Sequence, residues 1–258
     1  MSIAVAIKTS RALVLATDSR ITLSRGGAKT AYFDSGGKLV RLKAPNSHVA
    51  AVYFGETARG ATRVLEILEG YTSPVALTTR QIAAELNETL RRGMIEATSA
   101  QVYLGGFETH EAQGIPVLME LQIPDSKIPL ERLHGNSSGI LLGGQTDVAR
   151  RLISGYDSRA RERVDKMIRA SGVPAGNIWD AFKGSELAVP IEQMSARSLM
   201  DFAAELCLTT IRIQRYTLEP DGCGGRVQAI GYRRGNLALK SFYSVRREPS
   251  LIVHKEDS

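Results

Sequence analysis

The segregation of strand-like and helix-like segments along this chain limits its fold more than any other feature. Ser2 to Lys8 (SIAVAIK) alternates and is rich in β-branched residues, so it predicts a strand at the very start. After a short turn at residues 9–11, Ala12 to Thr17 (ALVLAT) is near-continuously apolar and predicts a strand buried on both faces. Residues 24–37, with Gly26, Gly27, Gly36 and Gly37, predict a loop or an irregular hairpin. Lys38 to Leu42 and His48 to Phe54 are two further strands around a turn at Ala44-Pro45-Asn46. Gly55 then opens a helix over about Glu56 to Glu69, and Thr78-Thr79 caps a second one running to about Ala97, with apolar spacing at Ile82, Leu86, Leu90 and Ile95. Strand patterns return at Gln101 to Phe107, Pro116 to Gln122 and Gly139 to Leu142. Helical ones follow at Thr146 to Ser154, Ala160 to Ala170 and Ser195 to Gln214, and Arg226 to Tyr232 and Asn236 to Tyr243 close the set.

Strands, two helices, strands, helices, two strands: blocks of this kind imply an α+β fold of layered antiparallel sheets, not an alternating parallel one. Two sheets between helix layers would suit strands that are apolar on both faces. No internal repeat or low-complexity linker interrupts the pattern, so residues 2–245 read as a single domain with a polar tail over 246–258.

Charge and cysteine usage narrow the function. The formal charge is +6, but the basic residues are scattered, as at Arg91–Arg92, Arg150–Arg151 and Arg233–Arg234, without interleaved aromatics. A solvated surface is therefore expected and nucleic acid is not. No apolar run approaches the roughly 20 residues of a membrane span, and Met1 to Ile7 lacks the basic start of a signal peptide. The expected compartment is the cytoplasm. Cys207 and Cys223 suggest neither a disulfide framework nor a metal site. His48, His110, His134 and His254 are dispersed, and Gly143-Gly144 lacks the Lys-Ser/Thr of a phosphate-binding loop. No cofactor and no metal are expected.

The chemistry-bearing candidate is the terminus. A small residue at position 2 permits removal of Met1, which would leave Ser2 with a free α-amine of ordinary pKa about 7.7–8.0. Such an amine is a usable general base near neutral pH, within reach of its own hydroxyl. Many chains begin Met-Ser without catalytic meaning, so the terminus alone carries little.

Context adds to it. A nucleophile, strand, turn and buried strand leading into Ala16-Thr17-Asp18-Ser19-Arg20, with Asp18 sixteen residues after Ser2, resembles the opening of proteasome β subunits and the HslV peptidase. Lys38-Leu39-Val40-Arg41-Leu42 is similar to the family's lysine-headed third strand, four residues late because of the Gly-rich loop, with Lys29 as a competitor lacking that strand pattern. The resemblance implies that Lys38 pairs with Asp18 beside Ser2, where its charge would favour the neutral amine. It implies that Gly55, at a strand–Gly–helix junction, supplies an oxyanion-hole N–H. It further implies that Asp221, in Asp221-Gly222-Cys223-Gly224-Gly225, is a supporting carboxylate, with a simple turn aspartate as the other reading.

In element order the resemblance covers residues 2–170 and 195–243, and residues 171–193 look like an insertion. It implies a four-layer αββα sandwich and an N-terminal-nucleophile peptidase cutting peptides or unfolded proteins inside a homo-oligomeric double ring. It leaves open whether an ATP-dependent unfoldase feeds the chamber. The chain departs from the family pattern in three places: Gly143 stands where a serine is usual, the Asp221 turn is one residue short, and the nucleophile is serine, not threonine. Two other readings stay open, an N-terminal-nucleophile amidohydrolase or transpeptidase on a non-protein substrate, and a catalytically silent ring subunit.

Overall fold

The computed structural model describes residues 2–25, 28–34, 36–55, 58–59, 62–93, 99–108, 114–172, 186–217, 222–234 and 236–244. They form a mixed α/β fold with antiparallel sheets. One five-stranded sheet has the order β12-β1-β2-β13-β14, built from Gly139–Gly144, Ile3–Lys8, Ala12–Asp18, Arg226–Arg233 and Asn236–Ser244. The other has the order β11-β10-β9-β6-β5, built from Leu130–Arg132, Pro116–Ile123, Ala100–Phe107, Val49–Gly55 and Leu39–Arg41. A small hairpin, β3 (Ile21–Arg25) with β4 (Ala28–Phe33), runs into the region expected as a loop or an irregular hairpin, and its register shifts between Leu23 and Ser24.

The strand period explains how these strands can be buried on both faces. In β1, Ile3, Val5 and Ile7 join one apolar cluster while Ala4 and Ala6 join another. β2 divides the same way, with Val14 and Ala16 on one side and Leu13 and Leu15 on the other. The Ile3–Val5–Ile7 side packs on the long helix α5 (Ala196–Gln214), which contributes Leu199, Met200, Ala203 and Ile211. The opposite side meets Leu39, Ala50, Val52 and Phe54 of the second sheet. That sheet's other face, with Val49, Ala51, Val102, Leu104 and Met119, covers α1 (Val64–Gly70) and α2 (Thr79–Gly93) through Leu68, Ile82, Leu86 and Leu90. Helices α3 (Asp147–Ser154) and α4 (Ser158–Ser171) follow β12.

Several expectations are corrected. The helix placed from Glu56 begins only at Val64, and the two-residue strands β7 (Ala58–Arg59) and β8 (Thr62–Arg63) precede it. The reason lies in the side chains: Val64, Leu65, Ile67 and Leu68 supply an apolar face, whereas Glu56 to Thr62 offer none at helical spacing. Strand β11 was not expected, being only three half-exposed residues, Leu-Glu-Arg, recruited by pairing with β10. The end of the second helix, placed at Ala97, lies outside the described residues, which carry it to Gly93.

Part of the 171–193 segment has a visible task. A single 3-10 turn at Ile191–Gln193 presents Glu192, whose carboxylate accepts from Ser10 N at 2.9 Å and Ser10 Oγ at 2.8 Å, capping the β1–β2 turn. Lys8, fully buried, donates to the carbonyls of Leu133, Gly135 and Ser137 and so ties β1 to the loop before β12.

Candidate active site

Three of the five candidate residues meet at the start of β1. Ser2, Asp18 and Lys38 are 4%, 0% and 3% exposed, and each is delivered by a different strand or strand end. Lys38 Nζ lies 2.8 Å from Ser2 Oγ and 2.9 Å from Asp18 Oδ1. The competitor Lys29 instead lies in β4, paired with Ser24 across the hairpin.

Every partner of the Asp18 carboxylate is a donor. Oδ1 accepts from Ile3 N at 3.2 Å as well as from Lys38, and Oδ2 accepts from Arg20 N at 3.2 Å and Gly224 N at 3.0 Å. Four donors fill the carboxylate's acceptor capacity. Burial pushes the Asp18 carboxyl up from its ordinary value, and the Lys38 ammonium and the Gly224 and Ile3 N–H groups pull the other way, favouring the ion.

The neighbours of Asp18 in sequence hold the frame around it. Ser19 Oγ donates to the Asp34 carbonyl at 2.5 Å and accepts from Arg226 N at 2.8 Å. Arg20 forks onto the Asp34 carboxylate at 2.6 and 3.0 Å and lies 4.1 Å from the Tyr32 ring centroid, which holds the Asp34 carboxyl below its usual range. Asp18-Ser19-Arg20 therefore sets one charge, one turn and one clamp in succession.

Ser2 is fixed through its backbone on the C-terminal side. Its carbonyl accepts from Gln145 N at 2.6 Å, while the next amide is held by Asp18. The close approach of Gln145 depends on Gly144, which has φ +74° and where a Cβ would fall 1.9 Å from the Ser2 carbonyl oxygen. Gln145 Oε1 accepts from Gln214 Nε2 at 3.0 Å, and Gln214 Oε1 accepts from Cys223 N at 3.1 Å. The Ser2 backbone is thus tied, through α5, to the turn whose Gly224 N–H serves Asp18. The sequence pointed to that turn through Asp221 and its glycines, not through the Gly224 N–H. Gln145 and Gln214 left no signal, because their pairing exists only in three dimensions.

Gly55 borders the same cleft as Ser2, a depression of about 450 Å3 also lined by Phe54, Gln101, Leu142, Gly143 and Arg150. Its φ is +90°, and a Cβ would fall 2.2 Å from the Ser99 carbonyl oxygen, so only glycine suits the position. Its expected place at a helix N-terminus is corrected: Gly55 ends β6, and the next helix starts at Val64, too far on for its dipole to act there. Gly143, where the resemblance implied a serine, packs against Phe54. A Cβ there would fall 2.2 Å from Phe54 Cζ. Asp221 lies outside the described residues.

Among the described residues, no group of three or more His, Cys, Asp or Glu side chains is placed to hold a metal, and no helix is long and apolar enough to cross a membrane. Cys207 and Cys223 are buried and not disulfide-bonded, and burial pushes the Cys207 thiol well up, which opposes nucleophilic use.

Comparison with known proteins corrects the family resemblance read from the sequence. No family model matches the chain, and no curated protein matches it. Among solved structures it is similar to Anbu from Hyphomicrobium sp. strain MC1, with a TM-score of 0.53 and 15% sequence identity over 95% of this chain and 88% of that one. The expected membership of the proteasome β-subunit and HslV family is overturned in favour of this likeness to Anbu, which at such an identity shows a shared fold alone.

Proposed function

We propose that the chain is an N-terminal-nucleophile hydrolase that cuts peptide bonds with Ser2, in a four-layer αββα sandwich. The observation that carries this reading is the 2.8 Å contact between Lys38 Nζ and Ser2 Oγ, with Asp18 holding the same ammonium at 2.9 Å.

The geometry favours one division of labour. A lysine that donates to both a hydroxyl and a buried carboxylate polarises Ser2 Oγ and leaves the base role to another group. After Met1 removal the Ser2 α-amine is that group, ordinarily half-protonated near pH 8 and disfavoured as a cation beside Lys38. Ser2 Oγ attacks the carbonyl carbon as its proton passes to the amine. The Gly55 N–H stabilises the oxyanion. The C–N bond breaks as the leaving amine takes that proton, and water then hydrolyses the Ser2 ester through the same base.

The double ring of identical chains, enclosing the cleft and restricting it to peptides or unfolded protein, belongs to this proposal. So does a cytoplasmic setting, with an ATP-dependent unfoldase as candidate feeder. Processed protein is expected to cleave a fluorogenic peptide panel, to lose that activity in Ser2→Ala, and to sediment as a ring-sized oligomer. A sedimentation profile of monomers alone would remove the ring. An inert wild type, or a Ser2→Ala variant as active as wild type, would remove the mechanism.

A further inference from the structure

We infer that Arg150 sets the specificity of the Ser2 cleft, and that the cleft takes a substrate bearing a carboxylate close to the bond that is cut. This rests on the nucleophile reading above and adds a substrate class to it.

Among the described residues that border the cleft, Arg150 alone carries a formally charged side chain. Phe54 and Leu142 give the cleft apolar wall, and Ser99 and Gln101 give it neutral polar groups. Among the described residues no carboxylate borders it, so a basic substrate group finds no partner among them. Arg150 is an exposed residue of α3, one turn beyond Thr146. Its N–H donates to the Thr146 carbonyl at 2.8 Å and its Nε donates to Thr146 Oγ1 at 3.0 Å. That second bond fixes the root of the guanidinium on the cleft side of the helix.

Among the described residues Arg150 forms no ion pair with a carboxylate. The acid beside it in the first turn of α3, Asp147, pairs with Arg159 at 3.6 Å, and Glu120, on the second sheet, pairs with Arg132 at 2.6 Å. A guanidinium with Nε already committed still presents its Nη groups in a fork suited to a carboxylate. An acidic side chain or a free C-terminal carboxylate supplies the same anion, and both would be drawn to one point on a wall whose other described side chains are neutral. Because the pair stays open to water, its effect is moderate and weakens with salt.

The test is peptide binding to processed Ser2→Ala protein, read by fluorescence anisotropy, which requires no turnover. Matched pairs differ by Glu against Gln at each position, and in a second arm by a free against an amidated C-terminus. The expected result is that one acid binds about fivefold tighter than its amide partner. This difference is expected to shrink as salt rises, to vanish in Arg150→Gln, and to turn into a preference for Lys in Arg150→Glu. The arm that shows it identifies the source of the carboxylate. Equal binding of every acid–amide pair, a preference that survives Arg150→Gln, or no measurable binding by any peptide would overturn the inference. Failure of the nucleophile reading appears separately, as wild-type Ser2 that does not react.

Discussion

Lys38 Nζ bridges Ser2 Oγ and Asp18 Oδ1 at 2.8 and 2.9 Å, so one buried ammonium serves both the candidate nucleophile and the carboxylate beneath it. Removing the ammonium leaves the charge of Asp18 uncompensated inside the protein. Lys38→Met is expected to abolish peptidase turnover, at least about 100-fold, and to cost about 3–5 kcal/mol of stability in urea unfolding. Adding Asp18→Asn in the same chain is expected to restore part of that stability, because no lone charge stays buried, and none of the turnover. Full turnover in Lys38→Met would show that the ammonium has no catalytic part.

The absent serine at position 143 has a packing cause. A Cβ there would fall 2.2 Å from Phe54 Cζ, tighter than any ordinary contact. Gly143→Ser is expected to lose about 1–3 kcal/mol by overpacking, with Phe54→Leu in the same chain returning much of it. Thermal unfolding of the single and double variants checks this. A Gly143→Ser protein as stable as wild type would mean that the Phe54 ring moves aside freely.

Gln214 acts on the site at one remove. It bonds Gln145, whose N–H holds the Ser2 carbonyl, and Cys223, next to the Gly224 donor of Asp18. Gln214→Leu keeps the bulk and breaks both bonds. The hydrogen bond from Cys223 N–H to Gln214 is then lost, costing about 1 kcal/mol, and kcat is expected to fall about tenfold with KM little changed. An unaltered kcat would leave Gln214 a purely structural link.

Asp157 caps α4, accepting from Ala160 N at 2.7 Å and pairing with Arg151. The cap hydrogen bond and the guanidinium hold its carboxyl below the ordinary value despite burial. With the folded pKa lowered, the stability it adds is fully present above the ordinary carboxylate value of about 3.9 and is lost as pH falls through the folded value. Asp157→Ala is expected to cost about 1 kcal/mol at pH 7 and to give a shallower loss of stability than wild type under acid. Parallel pH–stability curves for the two proteins would contradict this.

How much of this was legible in the sequence depended on whether a signal was local. The alternation of SIAVAIK announces a strand, and the apolar run ALVLAT announces burial on both faces. Both are seen in the split of β1 and β2 between two clusters. The resemblance at the start of the chain marked Ser2, Asp18 and Lys38, and the fold brings Lys38 into contact with the other two. The misplaced helix start came from reading small residues as helical where no apolar face existed before Val64. What stayed hidden was set by partners distant in sequence. Gly224 serves Asp18 across 206 residues, and Gln145 meets Gln214 across 69. Neither leaves a periodicity. The family resemblance failed for a related reason, since an opening motif tests some sixty residues of a chain whose likeness to Anbu spans 95% of its length at 15% identity.

The most direct test of the mechanism is the intact mass of the purified protein before and after treatment with a peptide epoxyketone, which needs both a hydroxyl and a free amine on one residue. The expected result is a chain lacking Met1 that gains a single adduct mapping to Ser2, with no adduct on Ser2→Ala. A chain that keeps Met1, or a processed chain whose mass does not change, would contradict the account.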